Sequence, residues 1–238
     1  MHKIDYYWKL LRIILITLRD TVRSVGALYF TGKDSAYHNI GKKWSRDLLN
    51  IVGVKLNVIG AEKLDPEQSY IYTANHSSLF DIPIIQAGID DDIRIMYKKS
   101  LEKVPFWGWG LRRGPYIAVD RSDPRKAMKS VEEAIEAIRQ NASMLVYPEG
   151  TRSEDGKLQS FKRGAFMMAA RGGKPIVPVS IIGSPNINPK GSKRFYPLEI
   201  KLILSDPIPV ASEVSRQEEK KLMADVHAIM LETIEENS

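Results

Sequence analysis

The spacing of hydrophobic and polar residues changes near residue 54 of this chain. Residues 6–30 and 39–53 carry aliphatic residues three and four positions apart, the spacing of amphipathic helices. After that point, short runs rich in β-branched and aromatic residues alternate with helical segments. The runs predicted to be strands are 54–60, 69–74, 93–97, 116–119, 143–147, 176–182 and 198–204. The pattern therefore predicts a two-helix segment at 1–53 followed by one α/β domain at 54–238.

Helix ends can be recognised between these strands. Asp81 stands before an early proline, which suits a helix start, and Asp123 with Pro124 suits an N-cap and first helical residue. The segment 161–173 ends on a glycine pair, and residues 213–236 form an amphipathic helix at the end of the chain. Strands that alternate with helices predict an α/β fold with a mostly parallel or mixed central sheet flanked by helices.

The helix at 6–30 has an unusually wide apolar face. Its charges interrupt it too often for a bilayer span, and it lacks the apolar centre and cleavage site of a signal peptide. In helical projection the charged residues occupy about a third of the circumference and aliphatic residues much of the rest. Such a helix fits a membrane interface, and we predict monotopic attachment to the lipid surface, on the cytoplasmic face of the cell membrane. The alternative is that both helices simply pack on the globular core.

Charge and composition narrow the choice of partner. The net charge is +6, and residues 1–50 hold nine Lys or Arg against four Asp, so most of the positive charge lies in the N-terminal segment. The basic residues alternate with aliphatic ones instead of forming a phosphate-binding stripe, so we expect no nucleic acid. The chain has no cysteine, and its four histidines lack metal-ligand spacing, so neither a thiolate nucleophile nor a metal site is expected.

A histidine follows the predicted strand 69–74 directly. His76 stands at the end of this strand, and Asp81 comes five positions later. Ligands of open α/β sheets bind at the carboxyl ends of the strands. A carboxylate that accepts from one imidazole nitrogen fixes the tautomer and raises the basicity of the other nitrogen. The pair therefore predicts a general base, although Asp81 could serve as a helix N-cap as well or instead.

Arginines follow two further predicted strands. Arg121 comes after 116–119, and Arg152 comes after 143–147 in the stretch PEGTR. A guanidinium beside a catalytic base is a common means of holding a phosphate or carboxylate, but both arginines could also be solvated surface charges. Glu149, in the same stretch as Arg152, could tie down the loop or bind a substrate hydroxyl.

Several sequence blocks resemble one family of enzymes. NHSSLFD at 75–81 and VYPEGTRS at 146–153, continued by FKRGAF, resemble the His-x4-Asp and Pro-Glu-Gly-Thr-Arg blocks of the glycerolipid acyltransferases. IAVDR and IVPVSI resemble two further blocks of that family, and KKSLEKVPFWGWG resembles its connecting stretch. The resemblance covers about residues 54–205, and the blocks occur in the order of the family.

This resemblance implies a reaction and a set of roles. It implies transfer of a fatty acyl group from acyl-CoA or an acyl carrier protein to the sn-2 hydroxyl of lysophosphatidate, giving phosphatidate. His76 would be the general base and Asp81 would orient it, with no enzyme nucleophile and no cofactor beyond the acyl donor. The substrate-binding residues that it implies are Lys98, Arg121, Glu149, Gly150, Thr151 and Arg152.

Other functions stay open on the sequence alone. Glycerol-3-phosphate is a possible acceptor, and the same base could activate water as a thioester hydrolase. A non-catalytic lipid-binding module is a third possibility, although it would have no use for an intact His–Asp pair with two arginines. Thiol release from an acyl thioester, with and without lysophosphatidate, separates transfer, hydrolysis and binding.

Overall fold

The computed structural model describes residues 2–120, 122–211 and 214–238, and its strands form one sheet. The strands are β1 Lys55–Ile59, β2 Ile71–Ala74, β3 Arg94–Lys98, β4 Ile117–Val119, β5 Met144–Val146, β6 Ile176–Ile182 and β7 Glu199–Leu204. Their order across the sheet is β1-β7-β6-β2-β5-β3-β4. Each coincides with a strand predicted from the sequence, and no end differs by more than two residues.

The pairing directions place five strand ends on one edge of the sheet. β6, β2, β5, β3 and β4 form a run in which every adjacent pair is parallel, whereas β7 pairs antiparallel with β6 and parallel with β1. The predicted mostly parallel sheet is confirmed. The carboxyl ends of β2, β5 and β6 are therefore neighbours, which is where an active site of this fold class forms.

Helices cover both faces of the sheet. They are α1 His2–Thr31, α2 Asp34–Val52, α3 Asp81–Gly88, α4 Trp107–Arg113, α5 Pro124–Arg139, α6 Gly164–Gly172 and α7 Arg216–Asn237. On β2, Tyr72 packs in one buried cluster with Ile84 of α3, and Ile71 packs in another with Ile138 of α5. Successive residues of a strand point to opposite faces, so the two clusters are the two sides of one three-layer core.

Side-chain caps mark the starts of two helices, and the one at α5 was predicted from the sequence. The Asp123 carboxylate accepts from the amides of Arg125 and Lys126, and Pro124 is the first residue of α5. At α7, Ser215 and Glu218 form a reciprocal capping box. Such caps satisfy the amides that a helix start leaves without partners, so these boundaries are encoded locally.

The two N-terminal helices have different relations to the core. Leu48, Leu49 and Val52 of α2 are buried in the same cluster as Ile84, so the alternative of packing on the core describes α2. α1 packs on α2 and α4 and reaches the same cluster through Tyr6, Ile13 and Ile16, but it keeps many large apolar side chains exposed. The exposed large apolar residues of α1 are Ile4, Tyr7, Trp8, Leu11, Ile14, Leu15, Val22, Tyr29 and Phe30. Across residues 2–120, 122–211 and 214–238, no helix combines the length and apolar character needed to cross a membrane.

Candidate active site

His76 and Asp81 meet in the turn between β2 and α3. Nδ1 of His76 lies 2.7 Å from Oδ2 of Asp81. The Asp81 side chain is fully buried, whereas the His76 side chain is 20% exposed. An ionised carboxylate only accepts hydrogen bonds, so we assign the proton of the neutral imidazole to Nδ1. The other ring nitrogen, Nε2, then carries a lone pair and has no partner within the described part of the chain.

The Asp81 carboxylate accepts four hydrogen bonds. Oδ2 accepts from Nδ1 of His76 and from the amides of Ser77 and Ser78, both at 2.8 Å. Oδ1 accepts from Oγ of Ser184 at 2.6 Å. The N-cap residue of α3 is Phe80, which makes no side-chain cap. The carboxylate therefore organises the turn that carries the histidine, and the N-cap alternative does not describe it.

Residues at the end of β6 complete this turn, and the sequence analysis did not identify them. Asn75, the residue before His76, donates from Nδ2 to the Ile181 carbonyl at 2.9 Å and accepts from the Ile181 amide at 2.7 Å. This side chain ties the exit of β2 to β6, three residues before Ser184. No local signal marks the link, because 106 residues separate Asn75 from Ile181.

Tyr147 packs flat against the His76 ring. The two ring centroids are 4.0 Å apart, and the planes differ by 18°. The Tyr147 hydroxyl is buried and has no hydrogen-bond partner among the described residues. Burial, together with the negative charge of Asp81, raises the pKa of Tyr147 well above its usual range. Tyr147 is therefore a neutral platform that fixes the plane of the imidazole.

Glu149 holds two loops together through its carboxylate. Oε1 accepts from the His76 amide at 2.7 Å, and Oε2 accepts from the Gln159 amide at 3.1 Å. The residue is only 2% exposed, and burial raises its pKa. The Ser153 amide also donates to the His76 carbonyl at 2.8 Å. Of the two roles considered for Glu149, this geometry favours tying down the loop over binding a substrate hydroxyl.

Three of the candidate binding residues, Gly150, Thr151 and Arg152, directly follow Glu149 in the loop that its carboxylate holds. Thr151 and Arg152 are exposed, and Arg152 precedes Ser153, whose amide is bonded to His76. Gly150 has a φ of 75°, in the left-handed region that favours glycine. A Cβ placed on Gly150 would lie 2.7 Å from Nζ of Lys162, so this lysine extends over the loop.

The other candidate cations differ in where they lie and in whether the structure describes them. Lys98 is exposed at the end of β3, at the carboxyl edge of the sheet. Arg121 lies outside the described residues. Lys162 was not proposed from the sequence, although it stands in the quoted block FKRGAF. The presence of Lys162 in this block, shortly after PEGTR in the sequence, could have marked it as a candidate phosphate-binding residue.

Comparison with known proteins agrees with this geometry. The profile of the family described as Acyltransferase matches residues 55–182. A chloroplast 1-acyl-sn-glycerol-3-phosphate acyltransferase of Brassica napus is 30% identical over 198 residues, which are 82% of this chain and 57% of the relative. An enzyme of the same name from Pseudomonas aeruginosa is 29% identical over 167 residues, covering 70% of this chain and 64% of the relative.

A solved structure matches the whole chain. The crystal structure of the 1-acyl-sn-glycerophosphate acyltransferase PlsC from Thermotoga maritima aligns with a TM-score of 0.81 and 27% identity, covering 100% of this chain and 99% of that one. The chain spans about half the length of several curated relatives that it matches, for example 57% and 48% of two plant enzymes. The matched profile includes β2, the His76–Asp81 turn, the PEGTR loop and β6. The chain belongs to the Acyltransferase family.

Proposed function

We propose that this protein transfers a fatty acyl group from an acyl thioester to the sn-2 hydroxyl of lysophosphatidate, giving phosphatidate for phospholipid synthesis. The observation that carries the proposal is the His76–Asp81 contact of 2.7 Å, which leaves Nε2 as a base in a partly exposed ring. Relatives named 1-acyl-sn-glycerol-3-phosphate acyltransferases support the choice of acceptor. The donor is acyl-CoA or an acyl carrier protein.

The chemistry needs one base and no enzyme nucleophile. Nε2 of His76 takes the proton of the acceptor hydroxyl as its oxygen attacks the thioester carbonyl carbon. The resulting imidazolium is stabilised by the Asp81 carboxylate at Nδ1. The tetrahedral intermediate then expels the thiolate, which receives the proton from Nε2. The new ester and the free thiol leave, and the imidazole returns to its neutral form.

Turnover in the presence and absence of acceptor tests this reaction. Detergent-solubilised protein is given acyl-CoA with lysophosphatidate, with glycerol-3-phosphate, or with no acceptor, and free thiol is followed. We expect release that depends on lysophosphatidate. Release without acceptor would show a hydrolase, and no release from either acyl-CoA or acyl carrier protein donors would show a binding module.

The phosphate of the acceptor is held by cations around the PEGTR loop. Arg152 belongs to this loop and Lys162 extends over it, while Lys98 lies at the same edge of the sheet. Arg152→Ala should lower kcat/KM for lysophosphatidate about 10–100-fold, the effect of losing hydrogen bonds to a charged group. Arg152→Lys should recover only part, because an ammonium cannot form the two-pronged contact of a guanidinium. An equal loss with a monoacylglycerol, which has no phosphate, would assign Arg152 another role.

The enzyme works at a lipid surface that α1 contacts. Trp8, Leu11 and Leu15 are each between 46% and 59% exposed, and Leu79, within the His76–Asp81 turn, is 74% exposed. Apolar side chains on α1 and beside the catalytic pair suit a protein that draws its acceptor from one leaflet. Attachment through α1 is monotopic, and we place it on the cytoplasmic face of the membrane.

A matched pair of variants separates apolar from electrostatic attachment. Replacing Leu11, Ile14, Leu15 and Val22 with Asp should release the protein from vesicles, because each residue loses about 1.5–3 kcal/mol of burial. The charge variant replaces Lys3, Lys9 and Arg12 with Gln, which leaves Arg19 and Arg23 to pair with buried Asp20. Release of the charge variant but not of the Asp variant would show that attachment is electrostatic.

A further inference from the structure

We propose that Ser184 is a positioning residue for the catalytic pair: its hydroxyl holds the Asp81 carboxylate in the orientation that presents Oδ2 to His76. The inference rests on the proposed acyl transfer. Ser184 follows β6, more than 100 residues from the His76–Asp81 turn, and its hydroxyl bonds to Oδ1 of Asp81 and to the hydroxyl of Ser77.

The direction of the hydrogen bond follows from its acceptor. Ser184 is completely buried, and its Oγ lies 2.6 Å from Oδ1 of Asp81. An ionised carboxylate cannot donate, so the serine hydroxyl must. A hydrogen bond between a hydroxyl and a buried carboxylate belongs to the stronger, charge-assisted class. The bond is therefore a directed restraint on the catalytic aspartate.

The local backbone fixes the place of this hydroxyl. Gly183 has a φ of 90°, which turns the chain sharply at the end of β6. Pro185 follows as an early residue of the short 3-10 helix Ser184–Ile187. Asn75 ties the main chain of Ile181 to the residue before His76. Ser184 is thus fixed beside the catalytic turn by the Asn75–Ile181 link that precedes it and by the turn residues Gly183 and Pro185 that flank it.

The two oxygens of Asp81 are supported unequally. Oδ2 has three donors, whereas Oδ1 has Ser184 as its donor within the described part of the chain. The terminal torsion of an aspartate is soft, so a carboxylate held on one oxygen only can rotate. Without the serine hydroxyl, Oδ1 would be a buried charged atom lacking a partner, and rotation would move Oδ2 away from Nδ1 of His76.

Ser180 shows that a buried serine hydroxyl in this region does not have to find a hydrogen-bond partner. It lies on β6, is 1% exposed, and its hydroxyl has no partner in the described ranges. Ser180 therefore provides a matched control for the removal of a buried serine hydroxyl. Ser77 provides a second comparison, because its Oγ lies 3.3 Å from Oγ of Ser184 and its side chain reaches Asp81 only through that hydroxyl.

The first experiment compares Ser184→Ala with Ser180→Ala in the full-length protein. We expect Ser184→Ala to lower kcat about 10–100-fold, the range for a hydrogen bond to a charged group, with KM for both substrates within about twofold. Ser180→Ala should keep the wild-type kcat, and Ser77→Ala should fall between the two. A wild-type kcat for folded Ser184→Ala, or an equal loss in Ser180→Ala, would overturn the proposal.

A double-mutant cycle distinguishes positioning from general structural support. If Ser184 acts through Asp81, then adding Ser184→Ala to Asp81→Ala should change the remaining kcat by less than about twofold. The same fold loss in both backgrounds would refute an action through the aspartate. Ser184→Cys keeps the side-chain shape at a slightly larger volume and has a weaker donor, so its kcat should lie between alanine and wild type. If Ser184→Ala melts early, Ser184→Cys takes its place in the cycle. A wild-type protein without acyl transfer would instead overturn the proposed function.

Discussion

Replacing Asp81 with asparagine removes the charge of the catalytic pair while keeping its hydrogen bonds. The amide oxygen can take the place of Oδ2 and accept from His76 and from the amides of Ser77 and Ser78. The amide nitrogen then faces Ser184, whose hydroxyl can turn and accept. The groups around Asp81 keep their partners, and the second N–H of the new amide is the added donor without one, at a cost of about 1 kcal/mol. We therefore expect Asp81→Asn to fold and to melt within about 5 °C of the wild type.

The loss of rate can be worked out from the geometry of the pair. With Nδ1 and Oδ2 2.7 Å apart, the centres of the imidazolium and carboxylate charges are about 4 Å apart. At an effective dielectric constant of about 20, such charges attract by about 4 kcal/mol. In the proposed reaction, an imidazolium forms as the acceptor hydroxyl loses its proton, and asparagine forfeits this stabilisation of it. We therefore expect kcat to fall about 10³-fold, since each 1.36 kcal/mol is about tenfold in rate.

Thiol release from acyl-CoA with saturating lysophosphatidate measures this loss. Asp123→Asn is the control, because Asp123 caps α5 away from the pair and asparagine is an equally good N-cap. The control should keep its wild-type kcat. An Asp81→Asn protein that is folded and within tenfold of the wild-type kcat would refute base catalysis assisted by this carboxylate.

Three further substitutions test the supports of the site. Glu149→Gln places an amide group against a main-chain amide, so the melting temperature at pH 7 should fall by about 3–10 °C. Because burial raises the Glu149 pKa above the ordinary 4.5, the stability that its protonated form contributes is fully present below pH 4.5 and is lost as the pH rises through the raised value. The advantage of the wild type over Glu149→Gln, measured by thermal melts at several pH values, should shrink across that window. Tyr147→Phe should keep kcat, because the hydroxyl has no partner in the described residues, whereas Tyr147→Leu should lower it several-fold by removing the flat contact with His76. Lys162→Met should raise KM for lysophosphatidate but not for a monoacylglycerol; equal effects on both acceptors would exclude a phosphate contact.

The strands and several helix ends could be predicted because their signals are local. Each strand is a short β-branched or aromatic run bounded by turn residues. The start of α5 is indicated by two adjacent residues, Asp123 as the N-cap and Pro124 as the first helical residue. The role of α2 was harder to assign. Its apolar stripe is compatible with a membrane surface or with a protein core, and only the position of Ile84 opposite Leu48 and Val52 decides for the core. Periodicity identifies the buried face of a helix but not what covers it.

The supports of the catalytic turn could not be predicted, because they come from distant parts of the chain. Ser184 reaches Asp81 across 103 positions, and Tyr147 lies more than 70 positions from the ring that it covers. A serine after a strand and a tyrosine before a proline are both common. Their meaning arises from the order β6-β2-β5, which places the exits of three strands side by side.

The two acids of the site show how partners, and not residue type, assign the roles. Asp81 and Glu149 both follow buried parallel strands, and both are almost completely buried. Asp81 faces a ring nitrogen, so its negative charge can stabilise the positive charge that would form on the imidazole in the proposed reaction. Glu149 faces two main-chain amides, so its two oxygens act as acceptors that hold His76 and the PEGTR loop in register. Asp81→Asn should therefore reduce rate with little effect on melting, and Glu149→Gln, which replaces one acceptor with a donor, should reduce melting first; the opposite order would mean that the two assignments are exchanged.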